Sequence, residues 1–219
     1  MRIDILTLFP NMFNGFLTES IIKRAIEKEK VEINIIDIRK YTPYKNNQVD
    51  DYQFGGGGGM IMMCEPVFNA VESIKNDSSH VILLSPRGKT YKQEKAYGLR
   101  DKKHIIIICG HYEGFDERIY SLADEVISIG NYILTGGEIP AMAITDSVVR
   151  LIDGVITNTS LETESFNDNL LDYPVYTKPR VFRGMEVPDV LINGNHKLIN
   201  EFRESERLRI TKEYRDDLL

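Results

Sequence analysis

The chain has 219 residues, 42% of them hydrophobic and 27% charged, which is ordinary for a globular protein with a substantial core. No apolar run approaches the ~18 residues of a membrane span and no signal-peptide pattern opens the chain, so neither membrane insertion nor secretion is expected. A net charge of −6 excludes binding of nucleic acid through uniform positive charge. The two cysteines, Cys64 and Cys109, lie in apolar surroundings and are expected to be buried, reduced thiols of a cytosolic protein.

The N-terminal part of the chain predicts two strands separated by a helix. Residues 3–9 form a short apolar run that ends at Pro10, which is typical of a strand. Apolar residues recur at helical spacing across residues 13–25. Apolar and polar residues then alternate across residues 31–39, and this alternation indicates a second strand.

Five consecutive glycines, Gly55–Gly59, are the most unusual feature of the sequence. They follow the acidic pair Asp50–Asp51 within a polar segment, residues 40–60, which predicts a long functional loop. A glycine run marks backbone that bends sharply or lies close against a flat ligand, because glycine has no Cβ to obstruct the approach. A helix follows, with Pro66 in its first turn and apolar residues as far as Ile74.

Three apolar strands come next, and each leads into a loop that contains glycine. Continuous Val/Ile runs separated by helices indicate a parallel sheet covered on both faces, so the predicted fold class is α/β. Ligands of such sheets bind beyond the carboxyl ends of the strands, where the three loops are expected to converge. A helix across residues 138–152 then returns along the sheet. The predicted strands are residues 81–84, 104–109 and 126–129, and their loops are residues 85–88, 110–114 and 130–137.

These loops predict a site for an adenosine-like ligand. Tyr112 and Tyr132 can stack on a base, and Glu113 can hold a ribose hydroxyl. Backbone groups across residues 129–134 can hydrogen-bond an adenine edge, because glycine lets the main chain approach. A triphosphate is disfavoured, since Leu83 stands where a P-loop needs its first glycine. The four histidines are scattered without the spacing of metal ligands, so no metal site is predicted.

The composition changes after residue 155 and predicts a small second domain. Residues 157–168 are polar and have no period, as in a flexible linker. Residues 196–214 form a highly charged helix whose thin apolar stripe begins at Leu198. Basic residues outnumber acidic ones between residues 178 and 215, which is compatible with RNA contact.

Together these motifs make the chain similar to the bacterial tRNA (guanine-N(1)-)-methyltransferases, a family in the SPOUT class of S-adenosylmethionine-dependent RNA methyltransferases. The resemblance covers essentially the whole chain and keeps the order of the motifs. The matching segments include Leu8-Phe9-Pro10, Val49-Asp50-Asp51 with the glycine run, Leu84-Ser85-Pro86, Tyr112-Glu113-Gly114, Asp116-Glu117-Arg118, Gly136-Gly137-Glu138, Leu170-Leu171 and Gly194-Asn195-His196.

The resemblance implies a SPOUT-type α/β fold with a parallel sheet, a C-terminal trefoil knot in that sheet, and a small helical C-terminal domain. It implies a knotted methyl-donor-binding domain at residues 1–156, a flexible linker at residues 157–169 and a helical tRNA-binding domain at residues 170–219. It further implies a cytoplasmic homodimer with active sites at the subunit interface. The reaction would methylate ring nitrogen 1 of the guanosine immediately 3′ of the anticodon, within the anticodon stem-loop of tRNA.

S-adenosylmethionine is the cofactor that the resemblance implies. The resemblance also implies that turnover requires Mg²⁺, although no cluster of metal ligands can be identified in the sequence. The donor would lie in the pocket formed by the three loops. The residues predicted to bind it are Leu84, Ser85, Pro86, Gly88, Gly110, Tyr112, Glu113, Gly114, Ile129, Gly130, Asn131, Tyr132, Ile133, Leu134, Gly136 and Gly137.

The resemblance also assigns catalytic residues. Methylation at nitrogen 1 requires a base that takes its proton and a group that stabilises the negative charge spreading onto the neighbouring carbonyl oxygen. Arg150 matches the family's arginine for the second role. The family's base is usually an aspartate directly before Ser-Phe, and Glu164 occupies that position before Ser165-Phe166. Glu164 is therefore the favoured base, and Asp168 is its rival.

Binding of tRNA is assigned to the glycine run with its flanks and to basic side chains of the C-terminal domain, whose affinity for RNA would fall as salt rises. Besides Glu164 and Phe202, which stands where the family often has tryptophan, four residues depart from the family pattern, and their effect on tRNA contacts stays open. They are Asn46, Asn47, His111 and Asn131. The predicted substrate-binding residues are Asp50, Gly55, Gly56, Gly57, Gly58, Gly59, Met60, Lys178, Arg180, Arg183, Arg203, Arg207 and Arg209.

Two alternative functions remain at this point. The first is a catalytically silent SPOUT-fold tRNA-binding protein, which would bind the donor or tRNA without transferring a methyl group. The second is a SPOUT enzyme that methylates a ribose 2′-oxygen, which would leave the methyl group on the sugar and not on guanine.

Overall fold

The computed structural model describes residues 1–157, 161 and 164–219. The chain divides into two compact units, Met1–Ile156 and Thr157–Leu219. Within the described ranges, every helix is too short or too polar to traverse a lipid bilayer.

The first unit alternates strands and helices along the chain. Its strands are β1 Arg2–Thr7, β2 Glu32–Asp37, β3 Asp50–Tyr52, β4 Met60–Met62, β5 Ser79–Thr90, β6 His104–Ile108 and β7 Glu125–Ser128. Its helices are α1 Asn14–Thr18, α2 Ser20–Glu27, α3 Cys64–Glu72, α4 Gln93–Arg100 and α5 Glu138–Val149. One sheet has the strand order β2-β1-β6-β5-β7, and every neighbouring pair in it is parallel. The prediction of an α/β fold with a parallel sheet is confirmed.

The middle of this sheet is completely buried. β6 lies between β1 and β5, and every one of its residues is buried. A strand that is paired on both edges and covered on both faces has no solvated side, which is why its sequence is an isoleucine run and not an alternating pattern. The polar His104 is accommodated at its start because its Nε2 lies 2.9 Å from Asp4 Oδ2.

The segment between residues 40 and 60 is not the single loop that its composition predicts. Two 3-10 turns, Ile38–Tyr41 and Lys45–Asn47, precede an antiparallel hairpin in which β3 pairs with β4 and the glycine run forms the turn. Val49 and Met62 are fully buried at the base of the hairpin, so apolar residues on both sides of the polar tract stabilise it. Most glycines of the run take φ values between +79° and +139°, which other residues rarely adopt.

The strand predicted at residues 81–84 and the loop predicted at residues 85–88 form a single element, β5. Its pairing with β7 shifts register between Leu84 and Lys89, so the intervening residues bulge out of the ladder. Pro86 has no N–H to donate and is tolerated within a strand only at such an irregularity. The predicted tight turn is therefore a bulge inside a longer strand.

Some helix ends also differ from the prediction. The helical spacing across residues 13–25 corresponds to two helices, α1 and α2, because the backbone is extended at Glu19 between them and Ser20 takes a φ of +52°. Helix α5 ends at Val149 and not at residue 152, since the hydrogen bonds tighten to the i→i−3 pattern there, as between Leu151 N and Val148 O at 3.1 Å.

The second unit contains a long helix and a small hairpin. The helix, α6, spans His196–Tyr214, as predicted, and Asn195 caps it by accepting a hydrogen bond from Leu198 N at 3.4 Å. The hairpin pairs β8, Val181–Phe182, with β9, Met185–Glu186. Two 3-10 turns, Asp189–Leu191 and Asp216–Leu218, lie on either side of α6.

Helix α6 buries two polar residues more completely than its predicted apolar stripe, of which Phe202 and Ile210 are half-buried. Leu198 and Leu208 are exposed, whereas Arg207 and Thr211 are buried. A polar side chain is buried only where it finds hydrogen-bond partners, so the segment that covers this face must supply them.

Candidate functional site

A cavity of about 390 Å³ opens where the bulge of β5 meets the carboxyl ends of β6 and β7. All of the residues predicted to bind the donor line it, except Gly88 and Asn131. Small-molecule sites occupy about 300–1,000 Å³, so the cavity suits a ligand of nucleoside size. The three predicted loops therefore converge at one edge of the sheet.

Gly88 and Asn131 lie outside this cavity. An added Cβ on Gly88 would stand 2.5 Å from both the backbone N and C of Ile127, so glycine is needed there for close contact with β7. Asn131 is exposed to solvent, and its neighbours Gly130 and Tyr132 line the cavity instead. Membership of a glycine-bearing loop is thus not enough to place a residue at the cavity.

The cavity also includes residues that the sequence analysis did not assign to it. His111 and Thr135 lie within the predicted loops, so the same argument could have found them. No sequence pattern marks Pro140 as a cavity residue, because it reaches the cavity only through the packing of the first turn of α5. The additional lining residues are His111, Phe115, Ile127, Ser128, Thr135 and Pro140.

Backbone contact between two loops shapes one wall of the cavity. Gly137 N donates a hydrogen bond to Gly110 O at 2.8 Å. An added Cβ on Gly137 would stand 2.7 Å from Cys109 Cα, closer than the 3.0 Å below which real Cβ atoms essentially never approach. Glycine is therefore required where the segment before α5 packs against the loop after β6.

The glycine-run hairpin is hydrogen-bonded to a cavity loop. Met62 N donates to Gly114 O at 2.9 Å, and Glu113 N donates to Met60 O at 3.0 Å. Gly59 has a φ of +79°, and an added Cβ on it would stand 2.5 Å from Glu113 Cγ. The segment predicted to bind the substrate is thus fixed to a loop predicted to bind the donor.

The tip of the hairpin is open to solvent. Asp50 is half-buried opposite Met62, whereas Gly55–Gly59 are all exposed at the turn. An added Cβ on Gly55, Gly56 or Gly58 would meet nothing within 4 Å. The turn therefore has room for a ligand beside it.

The cavity lacks the charge that a phosphate-binding site needs. No lysine or arginine lines it among the described residues. Arg87, next to the lining residue Pro86, donates to both carboxylate oxygens of Glu117 at 2.6 and 3.0 Å and thereby lowers the pKa of that carboxyl. Its charge is paired, so the site suits a nucleoside better than a polyphosphate.

Neither cysteine is prepared to act as a nucleophile. Burial raises the pKa of the Cys64 thiol to about 11. Burial, together with the nearby Glu138 carboxylate, also raises the pKa of the Cys109 thiol. The thiolate is the reactive form of cysteine, so the geometry does not support a covalent mechanism through either residue.

The predicted catalytic residues belong to different units. Arg150 caps the C-terminal end of α5 in the first unit, where it is half-buried and its N–H donates to Asp146 O at 3.0 Å. Glu164 and Asp168 belong to the second unit, and Glu164 is half-buried. Asp168 is ion-paired with Arg207, whose hydrogen bond and charge lower the pKa of the Asp168 carboxyl.

Intramolecular contacts occupy several basic residues predicted to bind RNA. Arg180 pairs with Asp189 at 2.8 Å, and Arg209 pairs with both Glu206 and Glu213 at 2.8 Å. Arg207 is buried and is not available at the surface. The positive charge that these three residues offer to RNA is smaller than the sequence predicts.

Other basic residues of the second unit remain more available. Within residues 164–219, Lys178 and Arg183 have no acidic partner, and the Arg183 guanidinium lies 5.2 Å from the Phe182 ring centroid. Arg203 lies 4.5 Å from the ring centroid of Tyr173. Arginine stacked on an aromatic ring keeps its charge, so these side chains retain the capacity to contact phosphate.

Comparison with known proteins agrees with these features. The family model described as tRNA (Guanine-1)-methyltransferase TrmD matches residues 1–219. A relative from Ureaplasma urealyticum, named tRNA (guanine-N(1)-)-methyltransferase, is 53% identical over 219 residues, which cover 100% of this chain and 96% of the relative. Relatives of the same name from Geobacillus kaustophilus and Staphylococcus carnosus are 55% and 53% identical and cover 100% of this chain and 91% of each relative. The chain belongs to the tRNA (Guanine-1)-methyltransferase TrmD family.

Proposed function

We propose that the protein transfers a methyl group from S-adenosylmethionine to ring nitrogen 1 of a guanosine in tRNA, the one immediately 3′ of the anticodon. The observation that carries this proposal is the cavity between the bulge of β5 and the carboxyl ends of β6 and β7, in a chain whose relatives are named for guanine-N(1) methylation of tRNA. The cavity supports the assignment of a donor site, and the names of the relatives support the class of acceptor.

The residues of the cavity fit S-adenosylmethionine. Tyr112 and Tyr132 are partly exposed and can stack on an adenine ring, and the Glu113 carboxylate can accept hydrogen bonds from ribose hydroxyls. The absence of lysine and arginine among the described lining residues suits a ligand without phosphate. When bound there, the donor supplies a methyl group activated by its sulfonium sulfur.

Two side chains would act on the guanine. Glu164 takes the proton from nitrogen 1, which frees the lone pair for attack. Arg150 hydrogen-bonds the neighbouring carbonyl oxygen and stabilises the negative charge that develops on it. Asp168 is the poorer base, because Arg207 lowers its pKa and a weaker base removes a proton less effectively.

The tRNA would contact both units of the chain. In the first unit the exposed glycine turn offers backbone groups and open space beside the donor loop. In the second unit Lys178, Arg183 and Arg203 keep charge that can contact phosphates. Residues 1–156 would thus bind the donor and residues 170–219 the tRNA, joined by a linker at residues 157–169.

The assembly would be a cytoplasmic homodimer, with a trefoil knot in the sheet and active sites that use residues of both chains. This part of the proposal comes from the resemblance to the family. The described residues bring no three His, Cys, Asp or Glu side chains together in a metal-binding group, so no step is assigned to Mg²⁺.

Calorimetry and product analysis test the proposed function. The full chain is titrated with S-adenosylmethionine and then incubated with tRNA transcripts that carry guanosine or adenosine immediately 3′ of the anticodon. We expect donor binding, and 1-methylguanosine only with the guanosine transcript. Donor binding without transfer would indicate a silent tRNA-binding protein, and methyl on ribose would indicate a 2′-O-methyltransferase.

A further inference from the structure

The buried face of α6 holds a short segment of chain through three polar contacts. Thr211 Oγ1 accepts a hydrogen bond from Leu171 N at 2.8 Å, and Arg207 Nε donates to Leu171 O at 3.3 Å. Arg207 also donates to Asp168 Oδ1 through its terminal nitrogen. One arginine and one threonine thus bind both the backbone of Leu171 and the side chain of Asp168.

The burial of Arg207 shows that these contacts are specific. Its side chain is only 10% exposed, and a buried charge is tolerated only when it is paired and hydrogen-bonded. The hydrogen bond with Asp168 raises the pKa of Arg207 and lowers that of Asp168, so both groups stay charged across neutral pH. The contact is therefore constant over the range in which the enzyme would be assayed.

The held segment is a compact turn with strained backbone. Phe166 has a φ of +75°, which is unfavourable for a bulky residue, whereas the φ of +63° at Asn169 is one that asparagine tolerates. Phe166 N donates to Leu170 O at 2.8 Å, and Asp172 N donates to Ser165 Oγ at 3.0 Å. Such strain persists only where the surroundings fix the backbone, and Arg207 and Thr211 provide that constraint.

We propose that Arg207, together with Thr211, is a positioning residue that orients Glu164 by fixing the turn of residues 165–172. The turn begins at the residue directly after Glu164, so the direction of the Glu164 side chain depends on the geometry of the turn. This inference rests on the proposed role of Glu164 as general base. It replaces the expectation that Arg207 contacts tRNA and that Asp168 competes as the base.

The first measurement is the single-turnover rate of methyl transfer by Arg207→Gln at saturating donor and tRNA. We expect a loss of about 10- to 100-fold, because a small misplacement of a reacting group costs up to about 100-fold. The dissociation constants for donor and tRNA should change little, since the proposal places the buried Arg207 in contact with neither. Lys197→Ala is the matched control, because it removes an exposed cation from the same helix and should leave the rate unchanged.

A double-mutant cycle with Glu164 separates positioning from other roles. In a Glu164→Ala background, Arg207→Gln should cause no further loss of rate, because the base it orients is already absent. An equal loss in both backgrounds would overturn the proposal. The proposal would also be overturned if Arg207→Gln weakened tRNA binding but left the rate at saturating substrate unchanged. A smaller dependence of tRNA affinity on salt in that variant would indicate that Arg207 contacts a phosphate.

If Arg207→Gln unfolds the second unit, the variants Thr211→Val and Thr211→Ser test the same proposal. Valine matches the shape of threonine but cannot accept the hydrogen bond from Leu171 N, whereas serine can. We expect Thr211→Val to be slow and Thr211→Ser to be close to wild type, and equal rates for the two would contradict the proposal. If the wild-type protein transfers no methyl group, the proposed function itself is refuted. If the wild type is active and Arg207→Gln is equally active, only the positioning role of Arg207 is refuted.

Discussion

Glu164 and Asp168 are two carboxylates on one short segment, and their surroundings separate their roles. Asp168 is engaged by Arg207, which lowers the pKa of its carboxyl and fixes its direction. A carboxylate held in this way stabilises the turn and is a weak proton acceptor. Glu164 is half-buried and precedes the turn, which leaves it as the base in the proposed reaction.

This assignment predicts different effects for the two alanine variants. Glu164→Ala should lower the single-turnover rate by about 100- to 10,000-fold, the usual contribution of a general base, with donor affinity nearly unchanged. Asp168→Ala should lower it by only about 10- to 100-fold, because it loosens the turn without removing the base. Rapid-quench assays with labelled donor measure both rates. A Glu164→Ala variant as fast as the wild type would overturn the assignment of the base.

Gly137 tests the shape of the cavity with a single methyl group. An alanine there would place its Cβ 2.7 Å from Cys109 Cα and 2.8 Å from Gly110 N, so the loops must separate. We expect Gly137→Ala to weaken donor binding at least 10-fold in calorimetry. Gly98→Ala is the control, because Gly98 lies in α4 with nothing within 4 Å of an added Cβ. That variant should bind the donor normally and gain about 0.5–1 kcal/mol of stability, since alanine favours a helix.

The regular elements of the molecule follow closely from local sequence patterns, and the irregular ones do not. The isoleucine run of β6 and the charged helix α6 were predicted because burial and helical spacing leave a pattern within the segment itself. The β3–β4 hairpin was missed because its second strand is stabilised by hydrogen bonds to Glu113 and Gly114, which are distant in the sequence. The bulge in β5 was missed for the same reason, since it depends on the register with β7.

The contact between the hairpin and the cavity loop predicts a specific effect of Gly59→Ala. The substitution forces alanine into a φ of +79° and places its Cβ 2.5 Å from Glu113 Cγ. We expect donor affinity to fall about 10-fold, because left-handed strain costs roughly 1–2 kcal/mol and Glu113 must move. Gly58→Ala is the matched control, because it has open space and no positive φ. Equal donor affinities for the two variants, measured by calorimetry, would show that the hairpin does not position Glu113.

Binding of tRNA should depend on which cations of the second unit are already paired. Lys178 and Arg183 lack acidic partners among residues 164–219, whereas Arg209 is neutralised by Glu206 and Glu213. Each phosphate contact contributes roughly 0.7–0.9 to the slope of log affinity against log salt. We expect Lys178→Ala and Arg183→Ala each to reduce the magnitude of this slope by about the contribution of one phosphate contact. Arg209→Ala should reduce it much less. Filter binding across a salt series measures the slopes, and a larger effect for Arg209→Ala would contradict the proposed surface.

The two halves of the candidate site differ in how far the sequence alone could define them. The cavity was predicted from its loops, because the carboxyl ends of parallel strands meet at one edge and glycine marks close approach, whereas its role as the donor site stays a prediction. The roles of Arg150 and Glu164 came only from resemblance to a family, since a charge at a helix end or in a polar segment has no distinctive local pattern. The burial of Arg207 was not predicted either, because its partner Asp168 lies far along the chain.

A site that uses residues of two chains can be tested by mixing two inactive variants. Arg150→Ala and Glu164→Ala each disable both sites of a homodimer. If each site takes Arg150 from one chain and Glu164 from the other, a mixed dimer contains one intact site and one doubly defective site. After exchange of subunits, half of the dimers are mixed, so activity should recover to about a quarter of the wild-type value. Recovery is measured as 1-methylguanosine formed per chain after mixing, with each variant mixed with itself as the control. A mixture that stays inactive, although subunit exchange is verified with differently tagged chains, would place both residues of a site in one chain.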